Sequence, residues 1–439
     1  MNQILEPGRR VRTESSGMVC EVEGFLGGGG QGEVYRAKAG GQNLALKWYF
    51  PASATSEQRS ALETLIRMGS PSQRFLWPLE LVSASSIKGY GYIMPLREAR
   101  YKSIVDMMKR RIEPGFRALA TAGLELSHSY LQLHAKGLCY RDISFGNVFF
   151  DPDSGEVLIC DNDNVAVDGQ SVSGVYGTPR FMAPEIVTGE TVPNTQTDLF
   201  SLAVLLFYIF MMHHPLEGKK ELAIKCLDLP AMRKLYGTEP VFIFDPVDTS
   251  NAPDPVQHKN ALLFWGIYPE FLRELFIKAF TEGIRDPQHG RVRESNWRAA
   301  MARLRDSIIY CGNCKAENFY DADAMTVSRQ AASCWSCRQN LRLPPRLRIG
   351  RNLVMLNHDT QLFPHHVDDE KRYDFSQPVA TIAQHPTDPN IWGLKNLSSN
   401  NWSSTNRKGE VSDVWPGRSV TLAVGTRINF GQVEGEIGF

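Results

Sequence analysis

The sequence predicts an α+β chain in which a strand-rich lobe and a helix-rich lobe precede a small cysteine-held module and an all-β sandwich. Three observations lead there. Residues 19–23 and 44–49 alternate like strands around a glycine-rich turn and run into one amphipathic stretch, residues 56–68. Residues 131–138 and 199–212 are apolar runs, the second too short to span a bilayer and best read as a buried helix. Beyond Leu343-Pro344-Pro345, a stiff linker, short strands alternate with turn residues.

At 439 residues the chain suggests about three domains. The boundaries expected are 1–310 (an N-terminal lobe at about 18–95 and a C-terminal lobe at about 96–310), 311–340 and 341–439. Lys+Arg and Asp+Glu both total 48, so net charge makes no case for nucleic acid or an anionic membrane. Arginines near the start are followed by no apolar run, so no signal peptide is expected. Eight cysteines include two Cys-x2-Cys pairs, which point to metal binding in a reducing compartment and hence to the cytoplasm.

In chain order, the frame Gly27-x-Gly29-x-x-Gly32-x-Val34 fits a hairpin whose backbone amides close over nucleotide phosphates. Lys47 stands in an apolar alternation, where an unpaired ammonium is costly, so it requires anionic partners. Residues 56–68 supply the next helix, with Ala61, Leu62, Leu65 and Ile66 on one face. Residues 91–96 read as the last strand of the lobe. In Tyr140-Arg141-Asp142-Ile143-Ser144-Phe145-Gly146-Asn147, a carboxylate and a carboxamide lie five residues apart between a helix and a strand. That pair suits phosphoryl transfer, the carboxylate orienting a hydroxyl and the amide oxygen holding magnesium. Residues 156–160 form a buried-strand pattern ending at Asp161-Asn162-Asp163, and Gly177-Thr178-Pro179-Arg180-Phe181-Met182-Ala183-Pro184-Glu185 follows.

Taken together, residues 20 to 308 resemble a protein kinase, with Tyr140 where histidine is usual. The resemblance implies a bilobal kinase fold that binds ATP and Mg2+. Gly27, Gly29, Gly32, Val34, Ala45, Lys47, Met94 and Leu96 would face the nucleotide, Met94 as gatekeeper and Leu96 in the hinge. Asp142 would be the catalytic base. Asn147 and Asp161 would hold magnesium. Lys47 would pair with the phosphates and with a glutamate of the 56–68 helix, where Glu63 is preferred for its spacing to residues 75–77 and Glu57 is the alternative. Residues 177–185 resemble the end of an activation segment, which kinases of small molecules generally lack. Thr178 would brace Asp142, Glu185 would pair with Arg291 or else Arg293, and Asp198 would tie the central helix to the catalytic loop.

Three positions depart from the pattern. Ser144 replaces a lysine that contacts the transferred phosphate, at about 2.7–4 kcal/mol of transition-state stabilisation if nothing substitutes for it. Asn162 replaces a phenylalanine, and Asp163 a glycine, adding an acid near the metals or facing solvent. Lys47, Asp142, Asn147 and Asp161 all persist, which favours an active enzyme over a nucleotide-binding pseudokinase that scaffolds partners. Arg141 suggests control by phosphate, with Ser171, Ser173 and Tyr176 as candidate sites, or else a constitutive carboxylate partner. Residues 240–265, rich in proline and aspartate, either dock a substrate or cover the lobe, and His213-His214 reads as a helix-end pair.

Cys311-x2-Cys314 and Cys334-x2-Cys337 provide four tetrahedral thiolates and resemble a zinc ribbon with a structural Zn2+. Residues 341–439 resemble a degenerate forkhead-associated (FHA-like) domain through residues 349–351, 375–382, 397–403 and 420–431. Arg351, Ser376 and Asn401 match its phosphothreonine-holding positions, whereas Gln377, Val379 and Trp402 depart from them. The composite resembles bacterial serine/threonine kinases of the eukaryotic type. That likeness implies protein substrates, autophosphorylation, a phosphothreonine peptide at the last domain, and as companions a PP2C-type phosphatase and a von Willebrand A-type protein.

Overall fold

The computed structural model of the chain describes residues 3–85, 87–169, 177–323 and 332–438. Ser171, Ser173 and Tyr176 lie outside them. The chain divides into two compact units, one of Met1–Pro114, Thr121–Phe264 and Glu274–Arg298, the other of Gly115–Ala120, Trp265–Arg273 and Ala299–Phe439. The cysteine module and the C-terminal sandwich thus share a unit with residues 299–310.

In the first unit, strands β1 (Arg10–Thr13), β2 (Val19–Gly28), β3 (Gly32–Ala39), β4 (Gln42–Tyr49), β5 (Glu80–Ala84) and β6 (Ile87–Pro95) close a barrel in the order β1-β2-β3-β4-β6-β5. β1 closes it by pairing with both β2 and β5, and Leu5 before it is fully buried. The lobe therefore begins well before residue 18. Residues 44–49 of β4 are all buried because both faces of the strand are covered. Leu44, Leu46 and Trp48 fill the barrel, while Ala45 and Tyr49 pack outside it with Tyr92, Met94 and Leu62. The period-2 alternation places Lys47 on that outer face.

Leu62 belongs to helix α1 (Ser56–Met68), which starts where Thr55 accepts from the Gln58 amide and stops at Gly69. Its buried positions are Leu62 and Leu65, as the apolar spacing predicts. The helical lobe carries helix α2 (Phe116–Ala135) and the short strands β7 (Lys102–Ser103), β8 (Leu138–Cys139), β9 (Val148–Phe150), β10 (Val157–Ile159) and β11 (Ala166–Val167). β10-β9-β7 form one sheet and β11-β8 another, and they fix the two ends of the loop that carries Asp142. Helix α3 (Thr195–Met211), capped by Asn194, is buried throughout from Thr197 onward. Phe242 packs on Phe207 and Phe280, and buried Asn251 donates to the carbonyls of Leu216 and Val241. Phe242 and Asn251 thus anchor this stretch on the lobe, while Val247 and Val256 stay exposed. His213 and His214 follow the helix end and bond the backbone carbonyls of Glu217 and Arg180.

The second unit contains a hairpin of β12 (Ile308–Tyr310) and β13 (Glu317–Phe319), and a β-sandwich. The sandwich strands are β14 (Arg346–Ile349), β15 (Asn352–Met355), β16 (Gln361–Leu362), β17 (Ala380–Gln384), β18 (Trp392–Asn396), β19 (Trp402–Thr405), β20 (Val411–Val414), β21 (Ser419–Thr421), β22 (Arg427–Asn429) and β23 (Glu434–Gly438). They form a six-stranded sheet, β15-β14-β23-β22-β19-β20, and a four-stranded sheet, β16-β17-β18-β21. Leu347, Leu394, Trp402, Ile428 and Ile437 lie in the core between them. Of residues 375–382, only Ala380–Ile382 belong to a strand, β17.

Candidate active site

A cavity of about 350 Å³ opens in the first unit, lined by Gly28 to Gly32, Val34, Lys47, Asp142, Asp161 and Asn164. Its roof is the β2–β3 turn. A side chain at Gly32 would put its Cβ 2.2 Å from the Trp48 carbonyl oxygen, so close packing of β3 on β4 demands glycine there. Gly27 and Gly29 have nothing within 4 Å of a Cβ position, which leaves bare backbone facing open space. Val34, Ala45, Met94, Leu96 and Leu158 gather in one apolar cluster, a surface suited to a flat, apolar ring.

The floor is the loop between β8 and β9. Asp198, at the start of α3, accepts from the backbone amides of Tyr140 (2.5 Å) and Arg141 (3.0 Å), and His134 bridges it to Glu294. Those bonds hold the loop from behind, with Arg141 in a left-handed conformation (φ 72). Asp142 Oδ1 accepts from Thr178 Oγ1 at 2.7 Å, and Oδ2 from Asn147 Nδ2 at 3.0 Å. Burial raises the Asp142 carboxyl above its ordinary range, and the Thr178 and Asn147 bonds pull it back in part. The Thr178 bond depends on Gly177, whose φ of 107 and approach to the Arg141 carbonyl exclude other residues. Downstream, Arg291 donates to both oxygens of Glu185 at 2.8 Å. Arg141, buried, donates its Nε to the Asn164 carbonyl.

Asp161 stands at the cavity mouth with a left-handed backbone (φ 48) and a side chain 42% exposed. Asn162 is buried and donates to the Ile159 carbonyl. Asp163 does not face solvent: it is fully buried beneath Lys47, whose Nζ lies 2.8 and 3.0 Å from its two oxygens and 3.5 Å from Asp161. Burial opposes the charge on Lys47, but Asp163 and then Asp161 outweigh it, so the ammonium is held above the usual lysine range.

Glu63 is not the partner of Lys47 that its spacing suggested. It is half exposed and pairs with Arg59 one turn back, at 3.2 Å. Glu57 is exposed and accepts from Ser56. The inward face of α1 presents Leu62, and Gln58, which donates to the Tyr49 hydroxyl and the Asp163 carbonyl. The helix was legible, but its rotation about its axis was not. The contribution of Asp163, Tyr49 and Tyr92 went unread: Lys47-x-Tyr49 carries the period-2 spacing of a strand, but Asp163 lies on a 3-10 turn where that period does not apply.

The groups present fit a magnesium nucleotide: an ammonium and bare amides for phosphates, and Asp161 and the Asn147 amide oxygen for a divalent cation. In the second unit, Cys311, Cys314, Cys334 and Cys337 bring their sulfurs within 4.8 Å of one another, with pairs at 3.5 and 3.6 Å. The edge of a thiolate tetrahedron around zinc is about 3.8 Å, so this donor set fits that ion. Asp306, His365 and His366 also cluster. Each imidazole, however, accepts a backbone N–H at Nδ1, and His366 Nε2 donates to Asp306 at 3.1 Å. With Nε2 protonated, this trio is a hydrogen-bonded brace and not a metal site.

Among the described residues no helix is long and apolar enough to cross a membrane. A protein kinase domain family matches residues 20–247. The DNA damage-responsive serine/threonine-protein kinase RqkA of Deinococcus radiodurans is 31% identical over 214 residues, covering 46% of this chain and 31% of that protein. Protein kinase MCK1 of Saccharomyces cerevisiae is 32% identical over 126 residues, covering 27% of this chain and 33% of that protein. The cell cycle serine/threonine-protein kinase CDC5/MSD2 of the same yeast is 24% identical over 266 residues, covering 56% and 36%. The chain spans about a third of the length of each of these relatives. With the family matched over half its length, the chain belongs to the protein kinase family.

Proposed function

We propose that this protein transfers the γ-phosphate of ATP to serine or threonine hydroxyls of proteins, itself among them. The observation that carries this reading is the 2.7 Å bond from Thr178 to Asp142. It joins the base to a segment whose far end, Glu185, is locked on Arg291, an arrangement made to present a polypeptide hydroxyl. Asp142 accepts the proton of that hydroxyl and orients it for in-line attack. Lys47 holds the phosphates, and Val34, Ala45, Met94 and Leu96 enclose the base. Asn147 and Asp161 would hold magnesium, which supplies charge neutralisation between the phosphates.

The cysteine cluster is proposed to bind structural Zn2+, its four sulfurs leaving no position for water. The two-sheet sandwich supports a forkhead-associated-type fold for residues 341–439. Phosphothreonine is disfavoured there, because Ser376 Oγ is spent on Asp374 at 2.6 Å and Asn401 Nδ2 on Asp413 at 3.2 Å. Those carboxylates oppose a dianion, and Trp402, at the expected glycine position, is core. An interaction or packing domain fits better. A PP2C-type phosphatase and a von Willebrand A-type protein remain proposed companions on resemblance alone.

The test is incubation of the purified protein with magnesium and ATP beside Asp142→Asn, with phosphate incorporation followed by intact mass. Incorporation by the wild type alone supports the proposal. No incorporation, on itself or on generic protein substrates, favours the nucleotide-binding scaffold, and Ser144 is then the first residue to restore to lysine.

A further inference from the structure

Resting on the kinase reading above, we infer that Asp163 is the positioning residue for Lys47, taking the place of a glutamate on helix α1. Four bonds converge on this one carboxylate. Oδ1 accepts from Lys47 Nζ (3.0 Å) and Tyr92 Oη (3.1 Å), and Oδ2 from Lys47 Nζ (2.8 Å) and Tyr49 Oη (2.5 Å). All three donors come from one sheet face: Tyr49 lies two residues along β4 from Lys47, and Tyr92 is its cross-strand partner on β6. A carboxylate with no exposed surface is stable only when paired and fully hydrogen-bonded, and here it is both. The exposed Asp161, 3.5 Å from the same ammonium, stays available to a cation.

The consequence is regulatory as well as positional. Where lysine depends on a glutamate of the helix, displacement of the helix breaks the pair. Here no carboxylate of α1 reaches Lys47 among the described residues, and Glu63 turns to Arg59. Lys47 is set instead by the same turn that carries Asp161, so the phosphate-binding and cation-binding groups are positioned as one unit, which α1 braces through Gln58 and Leu62 but to which it supplies no carboxylate.

Two measurements test this on the full chain. In steady-state kinetics, Asp163→Asn is expected to lower kcat at least ~10-fold, approaching Lys47→Met, with a smaller change in KM for ATP. Glu63→Gln is expected to leave both within about twofold. A Glu63→Gln loss as deep as that of Lys47→Met overturns the inference, and that variant needs no change in the buried cluster. The second measurement is a double-mutant cycle on melting temperature, which needs no catalysis. Lys47→Met and Asp163→Asn should be strongly non-additive, whereas Lys47→Met and Glu63→Gln should add; the reverse pattern refutes the pairing. A wild type inert towards ATP defeats the kinase reading instead, while the cycle still reports whether Asp163 holds Lys47.

Discussion

His134 is expected to make the kinase unit lose stability as pH rises from about 6.5 to 9. Its Nε2 lies 3.1 Å from Asp198 Oδ2 and its Nδ1 bonds Glu294, with 9% of the side chain exposed. Burial opposes the imidazolium, but the bonds to Asp198 and Glu294 prevail and raise its pKa from 6.5 to about 9. A folded pKa above the unfolded one means the folded state holds this proton more tightly. The stabilisation is therefore complete below the unfolded pKa and disappears as pH passes through the folded one. At about 1.4 kcal/mol per pH unit, the proton is worth roughly 3 kcal/mol. For a unit of this size that corresponds to a fall of about 6–12 °C in melting temperature across the interval. The assay is a series of melts between pH 6 and 9.5 on the wild type and His134→Gln. The variant starts lower, because two buried carboxylates then face each other, but its curve should be flatter over the interval. Equal pH slopes in the two proteins would refute the assignment of the proton to His134.

Thr178→Val removes one charge-assisted bond from Asp142 and should lower kcat by about 10–100-fold while sparing the affinity for nucleotide, measured by titration with an ATP analogue. Metal analysis should find one zinc per chain, lost in Cys311→Ser/Cys337→Ser together with cooperative melting of the hairpin module. Trp402→Ala should cost the second unit about 3–5 kcal/mol in urea unfolding, because the indole is buried in the sandwich core with its ring 4.9 Å from Phe430.

What was legible in the sequence divides along physical lines. Periodicity found α1 to the residue and identified α3, because burial of one face or of all faces writes itself into composition. Spacing singled out Asp142, Asn147 and Asp161, and the structure brings Asp142 and Asp161 to one cavity. It also found the four cysteines. The choice of Glu63 failed because an amphipathic pattern fixes which face of a helix is buried, but not which polar residue at its edge reaches a given atom. Leu62 and Gln58 occupy the inward face, and nothing local records that Asp163, 116 residues from Lys47, already fills the place. β1 was missed since Arg10-Val11-Arg12-Thr13 is polar on its outer side and too short for its alternation to stand out. His134 carried no signal at all, because its partners Asp198 and Glu294 are distant in the chain.

The departures from the kinase pattern become intelligible as a linked set. A glycine at position 163 would leave Lys47 with the exposed Asp161 alone, since α1 supplies no acid. Asp163 therefore cannot be read as a decoration on an otherwise ordinary motif, because the face of α1 that carries Leu62 and Gln58 requires it. The same substitution explains the two tyrosines: a bare carboxylate beneath one ammonium would retain unsatisfied acceptors, and Tyr49 and Tyr92 satisfy them from the strands that also align Lys47. The arrangement is harder to switch through α1 and harder to lose piecemeal, as each member is buried with the others. If the enzyme is regulated, the physical room for it lies elsewhere, in the segment tied to Asp142 through Thr178, where one hydroxyl bond joins Asp142 to residues 177–185.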